Sequence, residues 1–236
     1  QLNNSGMKKY TQKDYNNALL DLNKAIDKDS KLAIAYYNRG LIYSRIEEYK
    51  KAISDYDIAI KIDPTFSIVY GNRGNAKDAL KDYSGAIKDY NLYINFNPKE
   101  ANVYNDRGFA KLKIKDFENA IMDFDKAINI NPKYAIAYYN RGTSKYKSGK
   151  KEAGCDDFKK ASALGFSIAD STISSYCTLF KKDPEKDLFN PSYKELKTKG
   201  KMVEYFDSIG CIYSNFKYNV AAKIPKKWNV DQGLTK

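Results

Sequence analysis

Histidine is absent from the 236 residues, which removes Ser-His-Asp and Cys-His nucleophile systems, His-ligated zinc and the commonest general base together. Only three cysteines occur, too few for a four-thiolate metal site. No run of about 18 apolar residues exists, so nothing reads as a membrane-spanning helix. Charged residues at 30% beside apolar residues at 42% fit a packed protein and exclude a membrane-embedded one. Asp and Glu are spread over solvated faces and no convergent pair can be read. Neither catalysis nor a cofactor is expected; binding is.

Lys and Arg number 41 against 29 acids, a net charge of +12. A nucleic-acid binder clusters its basic residues on one face or in one run. Here lysines alternate with acids, as Lys50 and Lys51 do with Glu47 and Glu48, the pattern of solvated helix faces. The alternative, an anionic or nucleic-acid ligand held by the basic surface, predicts affinity that falls steeply with salt.

A fixed period decides the architecture before any single helix does. Pro64, Pro98 and Pro132 are spaced by 34, and Gly6, Gly40, Gly74, Gly108 and Gly142 keep that spacing. Ala18, Ala52, Ala86 and Ala120 follow the first four glycines by twelve residues, with Gly154 in that place in the fifth copy. The segment IAYYNRG at Ile34 to Gly40 returns at Ile136 to Gly142. Within a period the apolar spacing is helical: Ile34, Tyr37 and Leu41 form a stripe, and Ala52, Ile53, Tyr56, Ala59 and Ile60 form a second run after the polar break Glu47 to Lys51. Each period is therefore a helical hairpin. Small residues at the Gly and Ala positions allow close approach, and each proline forces Asp63, Asn97 or Asn131 out of the helical region and stops the second helix.

This pattern resembles the tetratricopeptide repeat family, whose succession of aromatic, Gly, aromatic, Ala, aromatic, Ala and Pro is met by Tyr36, Gly40, Tyr43, Ala52, Tyr56, Ala59 and Pro64. The resemblance implies an all-α fold, a right-handed superhelix of helical hairpins. The organisation expected is five repeats over 1–168, a capping helix over 169–179 built on the helix-like stretch Ile168 to Tyr176, a linker over 180–200 and a C-terminal segment over 201–236. The first repeat lacks its opening two residues, so the polypeptide is expected to begin further upstream. Lys77, Lys111 and Lys145 replace the second aromatic, and Tyr93 stands where a small residue is wanted. A wedge between the third and fourth repeats is expected there.

Arg39, Arg73, Arg107 and Arg141 precede the glycines, and Asp55, Asp89, Asp123 and Asp157 follow each arginine by sixteen residues. An arginine fork suits a carboxylate, and a buried charge without a partner is expensive. Paired structural rungs are expected; the alternative points the arginines into the groove to clamp an acidic ligand.

In such a stack the first helices line a concave face. The resemblance draws groove residues from the second, fifth, sixth, ninth, twelfth and thirteenth places of each repeat: Tyr37, Asn38, Leu41 and Arg45; Asn72, Asn75 and Asp78; Asn105, Asp106, Phe109 and Lys113; Tyr139, Asn140, Thr143, Tyr146 and Lys147. Asn38, Asn72 and Asn140 could each donate to and accept from a peptide backbone, or could brace the scaffold. No repeat has Lys at the fifth place, so the set by which family members hold chaperone carboxyl termini is missing. A protein or peptide partner is expected, bound by a non-catalytic scaffold or adaptor; the alternative is a regulatory or targeting arm of a longer enzyme.

Cys155 and Cys177 lie eleven residues to either side of Phe166. Folding back about that turn would bring the sulfurs together, and a disulfide would imply an oxidising compartment, exported or periplasmic; two reduced, packed thiols in the cytoplasm are the alternative. Cys211 is left over on either view. Pro184 and Pro191 interrupt the linker. Phe216, Tyr218, Val220, Ala222 and Ile224 then alternate as in a half-buried strand. This strand, with Pro225 to Trp228 after it, resembles the opening of small α/β sandwich domains related to photosystem accessory proteins. A further domain truncated at Lys236 is expected; no functional residue is carried by that resemblance.

Overall fold

The computed structural model describes residues 1–177. The linker over 180–200, the segment over 201–236 with its expected strands, and Cys211 lie outside the described residues. Within them, ten helices pair into five hairpins: α1 (Leu2–Thr11) with α2 (Tyr15–Lys28), α3 (Ala33–Arg45) with α4 (Tyr49–Ile62), α5 (Ser67–Ala79) with α6 (Tyr83–Phe96), α7 (Ala101–Lys113) with α8 (Phe117–Ile130), and α9 (Ala135–Lys147) with α10 (Lys151–Ala163). A single helix, α11 (Ile168–Tyr176), follows and packs on α10. Each hairpin touches the next. The first helices also touch one another, α1 to α3, α3 to α5, α5 to α7 and α7 to α9, more closely than the second helices do. The side on which neighbours crowd is the concave one, so the first helices form the inner wall of a solenoid.

The second helices end as the prolines require. Asp63, Asn97 and Asn131 have φ of -132°, -131° and -130°, and their side chains then organise the turn: Asp63 accepts from the Thr65 N–H at 2.9 Å and Asn131 from the Lys133 N–H at 3.1 Å. The first helices end differently. Glu48 N–H reaches back to the Tyr43 carbonyl at 2.8 Å, Asp82 to Lys77 at 2.9 Å and Asp116 to Lys111 at 2.9 Å, which requires a left-handed residue between. That residue is Lys13, Glu47, Lys81 or Lys115, at φ of 63°, 66°, 64° and 64°, and only the fifth hairpin uses glycine, Gly149 at 91°.

A β-carbon in this region costs about 1–2 kcal/mol, while a glycine adds about 0.4–1 kcal/mol of unfolded-chain freedom. Lys81→Gly is therefore expected to stabilise the protein by about 0.5–1 kcal/mol in denaturant unfolding. A loss of stability would show that the lysine side chain more than offsets its own strain.

The core is a column of one motif. The ring of Tyr56, Tyr90, Phe124 or Phe158, all essentially inaccessible, lies against the glycine of the partner helix. A β-carbon on Gly40 would come within 2.6 Å of Tyr56, one on Gly74 within 2.7 Å of Tyr90, and one on Gly108 within 2.9 Å of Phe124. The glycines are thus fixed by close approach of an aromatic ring.

Tyr93 corrects the expected wedge. It is 8% exposed, and its ring lies over Gly71 of its own repeat, where a β-carbon would stand 3.1 Å from Cδ2. The corresponding pairs in the second and fifth repeats are Tyr37 with Ala59 and Tyr139 with Ala161. In the third repeat the large and small partners have changed helices, so the volume between them is conserved. The space for Tyr93 comes from Gly71.

Candidate functional site

The four arginines turn toward the second helices, and each is shared between two repeats. Arg39 donates from Nε and Nη2 to Asp55 at 2.8 and 2.7 Å, and Arg73 to Asp89 at 2.9 and 2.5 Å. Arg107 binds Asp123 and Arg141 binds Asp157 with the same fork, at 2.9 and 2.5 Å and at 2.8 and 2.5 Å. The remaining Nη1 crosses to the preceding repeat, reaching Asn23 at 2.8 Å, Asp57 at 2.6 Å, Asn91 at 2.6 Å and Asp125 at 2.6 Å. Each guanidinium also stands 5.3–5.7 Å from the ring of Tyr36, Tyr70, Tyr104 or Tyr138 three residues earlier.

Lys77, Lys111 and Lys145 supply second cations to Asp89, Asp123 and Asp157 at 2.8, 2.8 and 2.9 Å. Their departure from the aromatic pattern thereby gains a reason. In the first repeat Ser5 stands for arginine, and Asp21 accepts from Lys9 and Ser5, each at 2.6 Å. Those bonds, the lysine's first, hold its carboxyl below the usual carboxylate range. At the other end Lys159 stands where Asn or Asp would accept, and Ser175 where the next arginine would be. The ladder stops at α10.

Sequence reasoning missed the crossing partners. Their signal was present, because Asn23, Asp57, Asn91 and Asp125 precede the arginines by the same sixteen residues at which the aspartates follow.

The asparagines form a second, inner ladder. Asn38 donates to Asn3 Oδ1 at 2.8 Å, Asn72 to Tyr37 Oη at 3.3 Å, and Asn140 to Asn105 Oδ1 at 3.0 Å, each spanning 35 residues to the previous repeat. Asn72 also donates to the Ile68 carbonyl at 3.1 Å, and Asn105 to Asp106 at 3.1 Å. Asn75 accepts from Tyr90 Oη at 2.8 Å. At least one amide proton of each donating asparagine is thus committed to the scaffold, and Asn72 donates twice. Burial pushes the Tyr37 hydroxyl up to about 12, so it keeps its proton.

The other wall residues divide by exposure. Tyr37, Leu41, Arg45, Asn72, Asn75, Lys113, Tyr146 and Lys147 are half-buried, whereas Asn38, Asp78, Asn105, Asp106, Phe109, Tyr139, Asn140 and Thr143 are buried. Phe109 packs with Leu112, Ala120 and Phe124, and Lys113 Nζ sits 5.1 Å over its ring. Arg45 Nε approaches Tyr15 Oη at 3.4 Å, and Thr143 donates to the Tyr139 carbonyl at 3.0 Å.

At the end of the wall α11 occupies the position of a sixth first helix. Tyr139 shares a hydrogen bond with Thr172 at 3.3 Å, its ring lies 5.0 Å from that of Phe166, and Tyr146 meets Tyr176 edge-on at 5.3 Å. These two tyrosines, read from the sequence as ligand-facing, are seated against the cap. Cys155 on α10 and Cys177 at the end of α11 are joined, with Cα atoms 5.6 Å apart and a sequence separation of 22. Closing a loop of that length stabilises by about 3 kcal/mol in the chain-entropy picture. Among the described residues no helix is long and apolar enough to cross a membrane, and no cluster of His, Cys, Asp and Glu could hold a metal.

Family models described as tetratricopeptide repeat match residues 33–66 and 68–100, and one described as TPR repeat matches 6–47 and 112–149. No curated protein sequence matches the chain. Among solved structures, the chain is similar to MamA, with TM-score 0.66 and 24% identity over 70% of this chain and 96% of that one. It is also similar to MamA 41-end from Desulfovibrio magneticus RS-1, with TM-score 0.67 and 18% identity over 70% and 94%. YrrB, a TPR protein with an unusual peptide-binding site, gives TM-score 0.68 and 20% identity over 73% and 90%. Likeness at these identities concerns the fold alone.

Proposed function

The chain belongs to the tetratricopeptide repeat family, and from that premise we propose that it is a non-catalytic interaction scaffold docking a peptide or partner protein along its inner wall. The observation that carries this reading is the wall itself. Four of the first helices, α3, α5, α7 and α9, present Tyr37, Leu41, Arg45, Asn72, Lys113 and Lys147 at partial exposure, on a frame braced by two ladders of side-chain bonds running from repeat to repeat. A surface ordered before its partner arrives loses little further freedom on binding, so modest contacts suffice for affinity. Mixed aromatic, amide and basic side chains fit an extended peptide or a partner helix. The peptide-binding site of YrrB, a neighbour in fold, is consistent with this use of such a stack.

The test is selection from a random-peptide display library on the 236-residue chain. Peptides with a shared pattern are expected, and Leu41→Glu together with Lys113→Glu should weaken their binding by about tenfold or more, about 1.4 kcal/mol, with the melting temperature unchanged. Selection of nothing, or peptides indifferent to both substitutions, would overturn the reading.

A further inference from the structure

The turns joining each first helix to its second helix line one edge of the stack. Their fourteenth places read Gln12, Ile46, Leu80, Ile114 and Ser148, polar at both ends and apolar in the middle three repeats. Ile46, Leu80 and Ile114 are 39%, 42% and 46% exposed, although each is a large aliphatic side chain. Singly, such residues are ordinary on a protein surface; a row repeating every 34 residues along one edge is a regular feature.

The next residue adds a second, independent observation. Glu47, Lys81 and Lys115 hold long charged side chains in the left-handed conformation, where Gly149 shows that the same turn accepts glycine. Strain kept at successive turns points to a use for the side chains that carry it.

The row also reads the same in both directions. Turned end for end about Leu80, it lays Leu80 on Leu80, Ile46 on Ile114, and Glu47 on Lys115. Lys81 with its neighbour Asp82 meets Asp82 with Lys81. Glu48 would face Asp116 in that arrangement; Glu48 has its own cation in Lys51 at 3.4 Å, whereas Asp116, held by the neutral Asn119 amide at 2.9 Å, keeps its charge. Asp82 meets Lys81 while its Oδ1 also accepts from the Gly85 N–H at 2.9 Å. We propose that this edge binds a second copy of the chain through a two-fold axis at Leu80. An unrelated partner would need no palindrome, whereas a two-fold contact requires each patch to complement itself. With three apolar residues per copy the contact is small and belongs with weak, concentration-dependent associations. It is separate from the inner wall, which uses the fifth, sixth, ninth and thirteenth places.

Sedimentation of the 236-residue chain from the micromolar range to roughly 1 mM tests the proposal. A reversible dimer is expected, weakened by about tenfold or more by Leu80→Asp, which sets two carboxylates on the axis. Glu47→Lys and Lys115→Glu should each weaken it by placing like charges together. Their equimolar mixture should associate again, because each copy then complements the other at both contacts. All three positions are exposed turn residues, and unchanged circular dichroism melting is the check on folding. A monomer throughout the range, a dimer indifferent to Leu80→Asp, or a mixture no tighter than its parts would each overturn the inference. None of these outcomes bears on peptide selection by the inner wall, so the two readings fail separately.

Discussion

Asp89→Ala should lower the unfolding free energy by about 3 kcal/mol, toward the lower end of what loss of one member of a buried ion pair costs. The Asp89 side chain is 2% exposed and receives three charged hydrogen-bond donors, the Arg73 fork at 2.9 and 2.5 Å and Lys77 at 2.8 Å. Removing it leaves two cations side by side, at 15% and 21% exposure. Arg73 keeps Asp57 at 2.6 Å, which is why the upper end of the range is not expected. Asp57→Ala, by contrast, removes a carboxylate that is 56% exposed and should cost no more than about 1 kcal/mol. Because Arg73 ties α4 to α6 through α5, the larger variant should also loosen the stack locally. Hydrogen exchange should show protection falling first around the second and third repeats. An Asp89→Ala protein within about 1 kcal/mol of the parent would mean that the pair contributes little beyond what apolar packing would give there.

The exchange of volumes at Gly71 and Tyr93 makes an equally large but reversible prediction. Gly71→Tyr alone forces a ring into occupied space and should cost about 3 kcal/mol, and Tyr93→Ala alone leaves a cavity at similar cost. Combined, they recreate the arrangement of the second and fifth repeats, and the pair should return to within about 1 kcal/mol of the parent. The result is a strongly favourable coupling in a double-mutant cycle. Additive losses would show that the ring of Tyr93 is needed for something other than filling space, and urea unfolding of the four proteins is sufficient to decide.

These two sites mark how far the residues could be read without coordinates. The 34-residue spacing of glycine, alanine and proline gave helix pairing, helix ends and turn positions, because each depends on local sterics: a ring against a glycine, and a proline that excludes helix before it. The pairing of arginine with the aspartate sixteen residues on was also legible as a regular offset. The crossing bond to the previous repeat was not, although its offset is the same in the other direction, because a single hairpin gives no reason to look backward.

For the inner wall the gap is wider. Asparagine at a regular height can bond a ligand or a neighbouring repeat with the same atoms, and only the distance from Asn38 to Asn3 or Asn140 to Asn105 distinguishes them. Tyr139 and Tyr146 hold the same places as Tyr37 and Ser44, yet α11 lies against them; nothing in a repeat announces that its neighbour is a cap. The wedge expected from Tyr93 likewise failed for want of one fact, that position 71 across the hairpin lacks a side chain.

By itself, then, the sequence determined that residues 2–163 are a stack of five like hairpins, since a repeating pattern of large and small residues admits one way of nesting. The tertiary structure decided which polar side chains the stack consumes and which it leaves at the surface. That division is set by distances across repeats, between residues about 16 and 35 apart in sequence, and periodicity alone carries no information about which of two chemically able partners lies within reach.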